Sequence, residues 1–171
     1  ETNRQKKAGV MVWAGLLKDT IIGPFFFAGK ITGNSYLQML QQNIWPSIQT
    51  IAGDEQDLLV YQQDGASAHF SRVVRAWLNA TLEDRWMGRG GPIPWPARSP
   101  DVTPMDFWLW GYLKNKVYAK TINTLPELRA AIIREFRAIP PGMVHNATLG
   151  VVGRAKQLID IRGRQLGIFH R

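Results

Sequence analysis

The chain contains no cysteine. That excludes a disulfide scaffold and any thiolate metal site. Histidine is scarce, with three in 171 residues, so a bound metal would fall to carboxylates and would be a hard cation. No apolar run reaches the ~18 residues of a membrane span, and the N-terminus, Glu1-Thr2-Asn3-Arg4-Gln5-Lys6-Lys7, lacks the basic-then-apolar order of a secretory signal. Internal repeats and low-complexity tracts are absent too. What is present is ordinary globular composition, 45% hydrophobic and 20% charged, in a length suited to one domain. The net charge of +8 is lopsided. Residues 1–82 carry 7 Lys/Arg against 6 Asp/Glu, while residues 83–171 carry 14 against 7. A basic half of this kind suits a polyanion, and equally a solubilising surface.

Periodicity predicts a strand over 9–17 and a second over 21–31, paired as a hairpin, with Pro24 marking an edge or a bulge. A helix follows over 32–51, capped by Thr32 or Asn34 and open to a kink at Pro46. The apolar run Leu58-Leu59-Val60-Tyr61 reads as an interior strand. A helix over 68–82 comes next, then an irregular Gly/Pro-rich stretch over 84–102 with a short strand near Trp86. Helices over 103–119, 124–138 and 142–162 close the chain. This order argues for an α/β domain with a mixed sheet and flanking helices.

Two carboxylates stand out by position. Asp64 lies beyond the C-terminal end of an apolar strand, the edge where α/β sheets collect ligand and catalytic groups; it is equally a turn or cap residue of Asp-Gly. Asp106 falls at the third helical position after Thr103-Pro104, which also reads as a capping box. Taken together, a strand-end and a helix-start carboxylate can face one sheet edge. There they could hold Mg²⁺ or Mn²⁺ ions about 3.5–4 Å apart for in-line phosphoryl transfer. His69 is either a core histidine in the first turn of the following helix or a partner of the site. His145 and His170 read as surface residues. In residues 85–98, Arg85, Arg89 and Arg98 alternate with Trp86 and Trp95. That pattern suits a loop gripping phosphates and stacking on bases, or a structural loop plugging the core.

Several segments, in this order, resemble the catalytic domain of mariner-type DNA transposases of the DDE/D superfamily. They are Val12-Trp13-Ala14-Gly15, Ile22-Gly23-Pro24-Phe25-Phe26, Tyr61-Gln62-Gln63-Asp64-Gly65-Ala66-Ser67-Ala68-His69, Arg85-Trp86-Met87-Gly88-Arg89-Gly90-Gly91-Pro92-Ile93 and Trp95-Pro96-Ala97-Arg98-Ser99-Pro100-Asp101-Val102-Thr103-Pro104-Met105-Asp106-Phe107. The resemblance covers almost the whole chain. It implies a ribonuclease H-like fold, with residues 1–171 forming the C-terminal portion of a catalytic domain and no helix-turn-helix domain among them. It implies metal-dependent phosphodiester hydrolysis and strand transfer in cut-and-paste transposition.

By the same resemblance Asp64 and Asp106 are catalytic metal ligands, with 41 residues between them, and Asp101 is structural. Arg85, Trp86, Arg89, Trp95 and Arg98 become DNA contacts, and His69 supports the site from behind. The cofactor implied is Mg²⁺ or Mn²⁺ in a two-metal site. The partners implied are transposon-end DNA and a second copy in a homodimer, with no membrane, and the location implied is the nucleus. The family's first strand and its Asp have no counterpart here, so the site is expected to be incomplete and the sheet to expose an apolar edge. A non-enzymatic DNA- or protein-binding relic is the alternative.

Overall fold

The structure, a computed structural model, describes residues 9–95, 100–162 and 166. Strands β1 (Met11–Leu17) and β2 (Thr20–Phe27) form the expected antiparallel hairpin. Its register slips between Trp13 and Gly15, opposite Pro24, so the bulge read from that proline is present. Gly23 has φ of 99°, and a Cβ there would lie 2.9 Å from the Trp13 carbonyl oxygen. Both facts restrict the position to glycine.

The region predicted as one helix is continuous but divided. Helix α1 (Gly33–Met39) is capped by Thr32 in a reciprocal arrangement with Ser35. A π-type turn over Leu40–Ile44 then leads into α2 (Trp45–Ala52), whose first turn takes Pro46 where a missing N–H costs least. The apolar run at 58–61 behaves differently from expectation. Leu58 ends a 3₁₀ turn and is exposed, and strand β3 is only Tyr61–Gln62. Helix α3 (Arg72–Leu82), β4 (Trp86–Gly88) and β5 (Ile93–Pro94) follow, and β3, β4 and β5 pair in parallel. The three closing helices are α4 (Trp110–Val117), α5 (Leu125–Arg137) and α6 (Pro141–Asp160).

Helices pack in three groups. Tyr36, Leu40, Ile44 and Ile48 meet Ile22, Val74, Leu78 and Trp86 in one core. Ala14 of β1 meets Leu109, Leu113, Phe136 and Val144 in a second. Val117 of α4 meets Leu128 and Ala131 of α5 in a third. The architecture is therefore mixed α/β with flanking helices, as expected. The sheet itself is in two pieces: among the described residues β1–β2 and β3–β4–β5 share no ladder. A cavity of about 550 Å³ is lined by both Val12–Leu17 and residues 59–64. The short β3 has a physical reason: one edge pairs with β4 while the other faces this cavity, so the run 58–60 has no partner to hold it extended. No helix among the described residues is long and apolar enough to cross a membrane.

Candidate active site

The end of the cavity that follows β3 carries the acidic groups. Asp64, His69 and Asp106 line it together. Asp64 emerges from β3 and bends the chain: its Oδ1 accepts the Ala66 N–H at 3.0 Å. The same oxygen lies 2.6 Å from His69 Nδ1. The hydrogen bond to His69 holds the Asp64 carboxyl below its ordinary range, aided by the imidazole's charge and the Ala66 amide, while partial burial opposes the shift. His69 does not lie in a helix, as expected from sequence, but in the turn before α3. The Asp64 contacts close that turn, and the helix begins only after Ser71.

Behind His69 is a buried polar relay. Gln63, 6% exposed, donates from Nε2 to the His69 carbonyl at 3.0 Å. Its Oε1 accepts from the Tyr36 hydroxyl at 3.2 Å, and that hydroxyl lies 3.0 Å from the Tyr61 hydroxyl. The Tyr36 ring packs on the imidazole with centroids 4.1 Å apart. Gly88 makes room for this, since a Cβ there would approach the Gln63 side chain to 3.2 Å. Burial pushes the Tyr61 phenol up to about 12 and the Tyr36 phenol well above its usual value. Both therefore stay neutral hydrogen-bonding groups at ordinary pH. The relay was not read from the sequence. Its signal was available in Gln62-Gln63, two amides at the end of an apolar strand, only one of which can face inward.

Asp106 sits in the π-type turn Met105–Leu109 that opens α4. A capping box was one reading of this segment. The helical run begins at Pro104, and the Asp106 and Phe107 N–H groups donate to the Thr103 carbonyl at 2.9 and 3.1 Å. The Asp106 carboxyl is raised above its ordinary value, first by burial and then by the charge of Asp64. Two carboxylates that feel each other's charge across one cleft fit a hard divalent cation in kind. The donor set falls short in number: among the described residues no group of three His, Cys, Asp or Glu side chains could hold an ion. Asp101 is tied elsewhere, as expected. Its Oδ2 accepts the Leu166 N–H at 3.2 Å, and Arg154 bonds its backbone carbonyl.

The loop residues expected to touch DNA divide sharply. Trp86 is fully buried, with its Nε1 donating to Asn79 Oδ1 at 2.9 Å. It cannot stack on a base, and that expectation is corrected: the ring is a core plug under Gly91, where a Cβ would meet it at 2.7 Å. Arg85 braces the turn before β3, donating to the Gln56 carbonyl at 3.0 Å and lying 3.8 Å from Asp57. Trp95 is half-buried and its Nε1 has no partner among the described residues. Arg89 is exposed, with its guanidinium 4.2 Å from the centre of the Phe70 ring. Arg98 lies outside the described residues.

The split sheet and flanking helices, with a strand-end and a helix-start carboxylate on one cleft, fit the ribonuclease H-like fold expected from sequence. Comparison with known proteins makes this specific. Over 159 residues the chain is 25% identical to the Tc3 transposase of Caenorhabditis elegans, covering 92% of this chain and 45% of that protein. It therefore spans less than half the length of that relative. The crystal structure of the Mos1 mariner transposase catalytic domain superposes with a TM-score of 0.79 at 16% identity, over 92% of this chain and 76% of that one. A Mos1 paired-end complex with manganese superposes with a TM-score of 0.81 at 18% identity, over 97% and 48%. No protein-family profile matches the chain. The chain has the fold of a mariner/Tc1-type transposase catalytic domain.

Proposed function

We propose that this chain is the larger part of a DNA transposase catalytic domain, acting on phosphodiesters with Asp64 and Asp106 as its metal-binding carboxylates. The observation that carries the reading is that Asp64 and Asp106 line one cleft, close enough for the charge of Asp64 to contribute to raising the Asp106 carboxyl. Mg²⁺ or Mn²⁺ bound there would supply activation of water and charge stabilisation at the scissile phosphate. The protein's own part is positional. His69 fixes one oxygen of Asp64, so the other is presented to the cleft in one orientation. The Gln63 bond to the His69 carbonyl fixes the imidazole in turn. A cation would offset both the burial and the Asp64 charge that raise the Asp106 carboxyl.

The gap between β1 and β3 would take one more extended strand, bonded to both half-sheets, with an acid beside Asp64. Such a strand would unite the sheet, cover its apolar edge and complete the cation's ligands. DNA is the macromolecular partner of this reading, held by the basic C-terminal half. A nuclear site of action and a homodimer belong to the same reading. The likeness to Tc3 and Mos1 favours it over a non-enzymatic binding module.

The test is Mn²⁺-dependent nicking of DNA by the chain, supplied in trans with a synthetic strand peptide of alternating valine and isoleucine bearing one aspartate. Nicking that requires the peptide and disappears in Asp64→Ala is the expected result. A chain that neither nicks under those conditions nor binds duplex DNA at low salt contradicts the reading.

A further inference from the structure

Phe70 carries two guanidinium groups. The Arg75 Cζ lies 4.6 Å from its ring centre and the Arg89 Cζ 4.2 Å. The arrangement is built from separate parts of the chain. Arg75 comes from the first turn of α3 and is pinned by its Nε, which donates to the Phe70 carbonyl at 3.1 Å. Arg89 comes from the turn after β4. The next residue, Gly90, with φ of 72°, lies so close that a Cβ would meet the Phe70 ring at 2.8 Å and Arg75 Cδ at 3.3 Å. Close packing of this turn on Phe70 brings both arginines to one ring.

Among the described residues no acid makes an ion pair with Arg75 or Arg89. Among the described residues the ion pairs made by arginine are Arg85–Asp57, Arg134–Glu135 and Arg154–Asp101. Glu83 and Asp84 share a shallow hollow with Gly90 and Gly91, yet neither pairs with Arg75 or Arg89. Holding two guanidinium groups at one ring costs mutual repulsion. Stacking on an aromatic face orients each fork, and its edge N–H groups remain able to bond an anion in two-pronged fashion.

We propose that Arg75 and Arg89, oriented by Phe70, form a clamp for one backbone phosphate of duplex DNA. The inference rests on the transposase reading above and adds a specific contact to it. Phe70 directly follows His69, whose imidazole touches Asp64. The clamp is thus tied through the chain to the residue that touches Asp64. Its role is to position the bound DNA by backbone contact alone, with no sequence reading.

The experiment is fluorescence anisotropy with a labelled duplex across a salt series, using the whole chain. Arg75→Ala/Arg89→Ala should weaken binding roughly tenfold at physiological salt. It should also reduce the slope of log K against log salt by about 0.9, the share of one phosphate. Lys18→Ala/Lys30→Ala removes equal charge at exposed positions outside the basic C-terminal half; it should leave the slope unchanged. Arg75→Lys/Arg89→Lys keeps the charge and should restore the slope but not the full affinity, since an ammonium neither stacks nor forks in the same way.

Thermal melting checks folding; should the double variant not fold, the exposed Arg89→Ala alone carries the measurement. Equal slopes for the clamp and control pairs, in a chain that binds DNA, overturn the clamp, and so does full rescue of affinity by lysine. Displacement of the duplex by millimolar inorganic phosphate, with ionic strength matched by chloride, assigns a free-phosphate site instead and also overturns it. A parent chain that binds no duplex even at low salt overturns the transposase reading and the clamp together.

Discussion

Replacing Gln63 by methionine should destabilise the domain and loosen its site in one step. Methionine keeps the length and nearly the volume of glutamine but removes both ends of the relay. The side chain is 6% exposed, so water cannot substitute for what is lost. The Nε2 bond to the His69 carbonyl, 3.0 Å, disappears and leaves that carbonyl without its donor. The Tyr36 hydroxyl loses its 3.2 Å bond to Oε1 but keeps Tyr61 at 3.0 Å. One orphaned carbonyl and one weakened hydroxyl amount to about 2–3 kcal/mol, reduced somewhat by the more apolar side chain. For a domain of this size that corresponds to a fall of about 5–10 °C in Tm. Circular dichroism melting and urea unfolding both read it. The variant should also bind Mn²⁺ more weakly, because His69 no longer holds Asp64 in a single orientation. A Tm within about 1 °C of the parent would refute the relay as a structural element.

Other consequences follow from the same geometry. Without a further strand the chain should not nick supercoiled DNA, even with Mn²⁺; nicking that vanishes in Asp64→Ala would show that two carboxylates suffice. Tyr61 stays protonated in the fold to about pH 12, whereas an unfolded tyrosine ionises near 10. Stability should therefore fall as pH rises through that window, by on the order of 2 kcal/mol for this group. Tyr61→Phe should be less stable than the parent at pH 8, through its lost bond to Tyr36, and lose that disadvantage by pH 11. A constant difference across the range would contradict it. His69→Ala removes the main cause of the low Asp64 pKa, so a carbon-detected NMR titration should show that carboxyl moving up toward its ordinary value. The depressed carboxyl contributes stability above about pH 4 that is lost on acidification through its folded pKa, and the variant should lack this contribution.

Much of this architecture was legible in the sequence because local signals agreed. The hairpin followed from β-branched and aromatic residues flanking Lys18-Asp19-Thr20, and its bulge from Pro24. The closing helices followed from the break at Pro140-Pro141-Gly142 and the 3.6-residue period. What was misread depended on partners distant in sequence. Leu58-Leu59-Val60 has the composition of an interior strand, but a strand exists only where a neighbour accepts its ladder, and the neighbour on one side is a cavity. Trp86 and Arg85 have the composition of a DNA-gripping loop. Whether a tryptophan points into the core or into solvent is decided by Asn79 and Gly91, which composition cannot weigh. Asp64 and Asp106 were recognisable as a pair by their positions and by resemblance. The Tyr36–Gln63–His69 support was not, because it joins residues up to 33 positions apart that make contact only in the folded state.

The central claim is that Asp64 and Asp106 share one divalent cation, and Mn²⁺ binding tests it most directly. Isothermal titration with electron paramagnetic resonance should find one Mn²⁺ site in the parent chain. Asp64→Asn and Asp106→Asn should each abolish it, while Asp101→Asn, removed from the cleft by its bonds to Arg154 and Leu166, should leave it intact. Unchanged Mn²⁺ binding in both Asp64→Asn and Asp106→Asn would contradict the account.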